Sequence, residues 1–330
     1  MDISVETAII HRLGYAGKRT LGHNAFINSM EKHEILSNKI KNIKTGLSEG
    51  PDPQFSHGGQ RGGDTVRLAQ GQYMSAPEWA ELNPADKHLA RIIAHARVLR
   101  DPVFSHRSAA IIHGIQTLNV PDKLQVLGSG GATNSGLQYR QDEPSHRATI
   151  LTGPGGLRVV DPVTATIGSV RDTDFAEAMV IAESALRSFP ELTHSELHDS
   201  LMAVRRSRGS KNAHRVAAAM SPLSTSPAET LARVALLNLG LEPVQQYRIS
   251  TPLQTFRVGA ALVEHGVVVE VIGEPGHAPP QDVSPQDTPA QKAREEAIRG
   301  EGWDFVYLTW ADARYRPDAV ERKLRRKGVI

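Results

Sequence analysis

The run VVVEVIGEPGH, Val267 to His277, carries the residue types best suited to chemistry in this chain. An apolar β-branched strand stops on one carboxylate, Glu270, and passes at once into a polar Gly-rich turn that brings His277. Strand-end sites are built this way, because a rigid element then holds a side chain at the edge of solvent. A second acid, Glu229, opens the helix-like stretch SPAETLARVALLNLGL. Two carboxylates and a histidine are the raw material of a hard divalent-cation site with a general base.

Other stretches invite sharper chemistry than they support. FSHRSAAIIHGI places Ser105, His106, Ser108 and His113 together. A serine nucleophile needs a strand–nucleophile–helix elbow and an acid behind its histidine, and neither is evident. Helix N-capping is the better account of the serines. His106 and His113 are seven residues apart on one helix face, whereas a metal pair wants a spacing of three or four, so packing or capping roles are expected. GSGGATNSG, Gly128 to Gly136, lacks the Gly-Lys-Ser/Thr ending of a phosphate loop and reads as a flexible hairpin turn. Trp79, Trp303 and Trp310 fall within apolar patterns and are expected in the core.

Composition narrows the classes. With 39% hydrophobic and 22% charged residues, the 330-residue chain reads as globular, with room for two or three domains. It has no cysteine, which excludes disulfides, thiolate metal sites and a Cys nucleophile. No apolar run reaches membrane-spanning length and MDISVETAII has no signal-peptide character, so a cytoplasmic protein without a membrane partner is expected. The net charge of +2 says little about partners. Local basic runs say more: Lys18, Arg19, Lys39, Lys41 and Lys44 are candidate phosphate contacts for double-stranded DNA.

The elements that would position these residues follow from periodicity. Residues 1–45 read as helices around Gly-rich turns. A Gly/Pro-dense loop spans 48–64, and TVRLAQGQYMS reads as a short strand ending at Gly71. Helix–helix–loop–strand is the order of a winged helix-turn-helix, expected over 1–75. Residues 76–220 mix helices with short strands, and Thr193 with Glu196 has the spacing of a capping box. SPLSTSP marks a boundary. Beyond it, 224–330 reads α-β-β-β-α-β-α, a three-layer α/β domain.

Together the pieces resemble known families. The middle of the chain, with Ser105, His106, Ser108, Ala109, Ala110 and Gly114 in an SH-x-SAA-x-x-x-G pattern, resembles the bacterial AbiEi family of type IV antitoxins and related transcriptional regulators. The last hundred residues resemble the very-short-patch-repair-like endonuclease domain of the PD-(D/E)XK superfamily. The resemblance carries Glu229 onto the helix carboxylate, Glu270 onto the strand carboxylate, and His277, Arg294 and Gly302-Trp303 onto the motif that follows. It departs where the family has two aspartates and this chain has Gly259 and Ile272.

A glycine and an isoleucine cannot ligate a metal, so the resemblance implies a multidomain α+β and α/β protein that regulates through DNA, with an inactive nuclease-like domain and no cofactor. It also implies a partner nucleotidyltransferase toxin. Two alternatives stand beside it. One is an active Mg²⁺-dependent endonuclease with a site at Glu229 and Glu270, completed by Glu264 or Glu274. The other is a protein-interaction module without DNA binding.

Overall fold

The computed structural model describes residues 21–42, 65–129, 136–141, 148–205, 208–272 and 288–330. The chain forms two compact units, Met1–Ala218 and Ala219–Ile330. Among the described residues no helix is long and apolar enough to cross a membrane. The class is mixed α and β in several sheets.

In the first unit, helix α1 (Leu21–Lys39) leads into β1 (Lys41–Asn42). The stretch expected to be one strand is two: β2 (Thr65–Ala69) turns at Gly71, with φ of 69°, and returns as β3 (Gln72–Ser75). Only a residue tolerant of left-handed backbone suits that turn. The three strands form a sheet in the order β1-β3-β2. Helices α2 (Ala76–Glu81) and α3 (Pro84–Ala96) start where Ser75 and Asn83 accept from the N–H of Glu78 and Asp86, each with proline in the first turn.

A five-stranded sheet follows, built from β4 (Val103–Phe104), β5 (Leu124–Leu127), β6 (Leu137–Arg140), β7 (Ile150–Thr152) and β8 (Arg158–Val160) in the order β6-β5-β4-β8-β7. Helix α4 (His106–Ile112) leaves β4 directly. Helices α5 (Pro162–Arg171), α6 (Phe175–Ser188), α7 (His194–Met202) and α8 (Ser210–Ala219) complete the unit. The capping box at α7 forms as expected, Thr193 and Glu196 each accepting the other's backbone N–H. The hairpin expected at Gly128 to Gly136 does not form: β5 and β6 run parallel, with Leu124 beside Leu137. A parallel pair needs the chain to cross back along the sheet rather than fold over on itself.

No core boundary falls at residue 75. One cluster of buried side chains runs from Leu36 and Ile40 through Leu68 and Met74 to Ile92, Phe104 and Val160. Arg97, at the end of α3, fastens the two parts. Its guanidinium donates to the carbonyls of Ser37 (2.9 Å) and Ile40 (3.1 Å) and to Gln72 Oε1 (3.3 Å). These bonds also satisfy carbonyls that the end of α1 would leave open.

In the second unit, α9 (Pro227–Asn238) precedes strands β9 (Val244–Ser250), β10 (Thr255–Leu262) and β11 (Val267–Ile272). Helix α10 (Pro289–Gly300), strand β12 (Asp304–Thr309), and helices α11 (Trp310–Tyr315) and α12 (Pro317–Arg325) follow. The sheet order is β12-β11-β10-β9, antiparallel through β9, β10 and β11, with β12 parallel to β11. One face packs Val267, Val269 and Leu308 on Ala232 and Leu236 of α9. The other packs Val268, Val258 and Phe305 on Ile298 of α10. The tryptophans are half-buried rather than core: Trp303 lies against Tyr247, ring centroids 5.2 Å apart, and Trp79 lies beneath Lys87 and Arg91.

Leu36→Ala tests the continuity of the first core. The substitution is expected to cost about 2–5 kcal/mol and to lower the melting of β5 and β8 together with α1. Hydrogen exchange that loosens α1 and leaves the five-stranded sheet unchanged would show two separate cores.

Candidate functional site

The carboxylates of Glu229 and Glu270 approach β10 from opposite faces of the sheet. Val267 and Val269 face α9 while Val268 faces α10, so alternation puts Glu270 on the α10 side. There Arg294, from α10, donates to Glu270 Oε1 at 2.8 Å, both side chains about one-fifth exposed. Glu229 comes from the first turn of α9, on the other face. It accepts from Thr225 N and Oγ1 (both 2.8 Å) and from Gln246 Nε2 (3.1 Å).

Gly259 sits between them in the fold. Pairing of β9 with β10 lapses for one residue there, between Val258↔Tyr247 and Ala260↔Gln245. Val258 packs toward α10 and Ala260 toward α9, although residues two apart on a regular strand share a face. Gln246, opposite the lapse, has a left-handed φ of 52°. A Cβ at Gly259 would lie 3.2 Å from Glu229 Oε1. The glycine is therefore the point at which the strand changes face and Glu229 closes over it. Continuing the β10–β11 register by one residue sets Gly259 opposite Glu270, whose side chain nevertheless leaves on the α10 face.

Ile272 shares the Glu270 face by alternation, so the two positions where aspartates were expected do not converge with Glu229 in one place. Glu264 is exposed in the turn before β11, at the far end of the strand from Glu270. His277 and Glu274 lie outside the described residues, as do Lys18, Arg19 and Lys44. Lys39 ends α1 half-buried, and Lys41 is exposed in β1. Among the described residues no three His, Asp or Glu side chains gather as a metal group would.

The serines and histidines of α4 are held tightly. Ser105 has the N-cap position but makes no capping bond. The cap comes from β5 instead, where Gln125 Oε1 accepts from Arg107 N at 2.9 Å. That bond is non-local and no spacing rule signals it. Ser108, fully buried, accepts from Gln125 N and lies 2.8 Å from Nε2 of His88 on α3. No spacing rule signals this Ser–His pair, because its members stand on successive helices twenty positions apart. With no exposure it cannot receive a substrate, and it serves to satisfy buried polar groups.

His113 is half-buried beside Phe189, its Nε2 2.7 Å from Val160 O. His106 has a φ of 51° and rests its ring on Gly168, where a Cβ would come within 2.9 Å of the imidazole. Both rings pack closely on neighbouring elements. Burial holds these rings neutral. It lowers His88 to about 4 and His106 to about 3, helped in both cases by neighbouring arginines.

Comparison of the chain with family models, curated proteins and solved structures finds no match in any of the three.

Two measurements test this geometry. Gly259→Asp sets a like charge against Glu229, so one of the two carboxyls should have a raised pKa. The variant should be less stable than Gly259→Ala at pH 7, with the gap closing as pH falls and that carboxyl protonates. A gain in melting temperature with Mn²⁺ would show instead that Glu270 leaves Arg294 to complete a metal site. The histidines make a second case. His88 and His106 take protons more readily unfolded than folded, so the first unit should lose stability as pH falls from about 6.5 toward about 3. Denaturant titrations of His88→Gln should show a shallower loss over that range; an unchanged slope would mean that His88 is not held neutral.

Proposed function

We propose that the protein is a DNA-binding regulator of the AbiEi-like kind, with a nuclease-like C-terminal unit in which the acidic site is disabled. The observation that carries this reading is the fate of Glu270. It pairs with Arg294 while Gly259 stands where the resemblance expects an acid. A cleavage site needs carboxylates free to bind a cation and activate water. Glu270 spends its charge on a guanidinium and Glu229 spends its oxygens on Thr225 and Gln246. The helix–three strands–helix–strand order of the second unit and its sheet order support the nuclease-like half of the reading.

On this reading double-stranded DNA is the partner. Lys39 and Lys41, beside the β1-β3-β2 sheet, supply phosphate contacts together with Lys18, Arg19 and Lys44. A winged helix over 1–75, a cognate nucleotidyltransferase toxin and a cytoplasmic setting belong to the same proposal. No cofactor is required; Mg²⁺ would enter only for an active nuclease.

Mobility-shift titration on the DNA upstream of the protein's own gene tests the proposal. Binding should weaken steeply with salt, and Lys39→Gln with Lys41→Gln should reduce the slope of log affinity against log salt by about two. Absence of salt-sensitive, competitor-resistant binding would remove the regulator reading, and with stable capture of a protein partner would favour an interaction module. Mg²⁺- or Mn²⁺-dependent nicking of plasmid, lost in Glu270→Ala, would establish the nuclease instead.

A further inference from the structure

We propose that His194 and His198, one turn apart on α7, form a surface site for a divalent transition-metal ion such as Zn²⁺, with Asp199 holding His198 in the ligating tautomer. Such a site is independent of the DNA reading and of the second unit. The first observation is spacing. Side chains four residues apart on an α-helix stand on one face, and imidazoles at that spacing can close on one ion. The two rings do lie together, centroids 6.4 Å apart and planes 25° from parallel. Both residues are partly exposed, so an ion can reach them from solvent.

The second observation fixes a lone pair. His198 Nδ1 lies 3.0 Å from Asp199 Oδ1. An ionised carboxylate only accepts, so Nδ1 carries the hydrogen of the neutral ring and the lone pair sits on Nε2. A carboxylate behind an imidazole is also what orients ligating histidines at metal sites and raises their basicity. The third observation is rigid support. Thr193 and Glu196 cap α7 reciprocally, and Leu197 and Leu201 are fully buried beneath it. Glu196 spends its carboxylate on the N–H and hydroxyl of Thr193, at 2.9 and 2.7 Å, so it belongs to the cap and not to the site. The helix is fixed before any ion arrives, which lowers the ordering cost of binding.

The chemistry of the ion follows from the groups. Neutral imidazole suits Zn²⁺, Ni²⁺ and Cu²⁺, whereas Mg²⁺ and Ca²⁺ want oxygen ligands. With metal–nitrogen bonds of about 2.0–2.1 Å, two imidazoles on one tetrahedral ion have ring centres about 5 Å apart. The rings must therefore close by about 1 Å or a little more, which rotation about the side-chain bonds of partly exposed residues supplies. No third His, Asp or Glu gathers with them as a closed metal group among the described residues, so the ion keeps water in its remaining positions. Open positions of that kind belong to exchangeable sites rather than to closed structural ones.

The experiment uses the full chain without an affinity tag, freed of metal by a chelator, with Zn²⁺, Ni²⁺ and Mg²⁺ as probes in calorimetry and thermal shift. Zn²⁺ and Ni²⁺ should bind and raise the melting temperature, and Mg²⁺ at the same concentration should not. His194→Gln and His198→Gln should each weaken Zn²⁺ by about tenfold or more. Asp199→Ala should weaken it by about tenfold, since the tautomer of His198 is then no longer fixed. His265→Gln, at an exposed histidine of the second unit, should leave the affinity unchanged. Electron paramagnetic resonance with Cu²⁺ gives a readout that a merely structural role would not move: coupling to two imidazole nitrogens in the unaltered chain, and to one in either histidine variant. Zn²⁺ held no more tightly than Mg²⁺, or with affinity unchanged in both histidine variants, would overturn the proposal. So would Zn²⁺ binding that is lost in His265→Gln.

Discussion

The side chain of Gln125 is the constraint on which the first unit is arranged. It is fully buried in the middle of a sheet, so each of its donors and acceptors must find a partner or cost on the order of 1–3 kcal/mol. Its amide oxygen caps α4 and its amide nitrogen ties Gln138 to Asp172. Its backbone carbonyl accepts from Ser105 N, and its backbone N–H donates to Ser108 Oγ beside His88. One residue thereby joins two helices to three strands. Replacing it with an apolar residue of similar size would open the start of α4 and free Asp172 and Gln138 together, a coupled loss larger than any single bond.

This arrangement explains what could be read from the chain and what could not. The second unit's strands run for six to eight residues and its helices begin at Ser226-Pro227 and Thr288-Pro289, so local pattern places them within a residue or two. The capping box at Thr193 is equally local. In the first unit β4 has two residues and β8 has three, too few for any period to show. The parallel pairing of β5 and β6, the Gln125 cap and the His88–Ser108 contact all join residues far apart in the chain, and none leaves a mark in spacing. Position 75 misleads for the same reason. The order helix–helix–loop–strand suggests a unit ending there, but the apolar faces of α1 and the hairpin join one core with α3.

The candidate site divides along the same line. The residue types at Glu229, Glu270 and Arg294 were readable, and so was the absence of acids at Gly259 and Ile272. Their directions were not. A strand that keeps its period would have turned Gly259 and Glu270 to one side. The lapse at Gly259 and Gln246 changes the face of β10 for one step, and this depends on a left-handed residue on the neighbouring strand. Glycine at 259 therefore has a packing reason of its own, independent of any lost ligand, because Glu229 lies where a side chain would go.

Both units pair their half-buried charges, but not equally completely. In the second, Glu270 and Arg294 cancel each other at 2.8 Å, and Lys323 does the same for the buried Asp312 at 2.8 Å. Pairs of this kind hold a fold in register but offer nothing to a ligand, since breaking one leaves a charge stranded in a poorly hydrated place. In the first, Arg140 pairs with Asp172 and Arg107 stands 3.7 Å from Glu177, yet the buried Nε–H groups of Arg107 and Arg140 meet no acceptor among the described residues. Each of these arginines is matched in charge but leaves one buried donor unanswered, a cost that the Gln125 network does not remove. The strand end at Glu270 is therefore closed by its own partner, while the arginines beside β5 and β6 keep buried donors without one among the described residues.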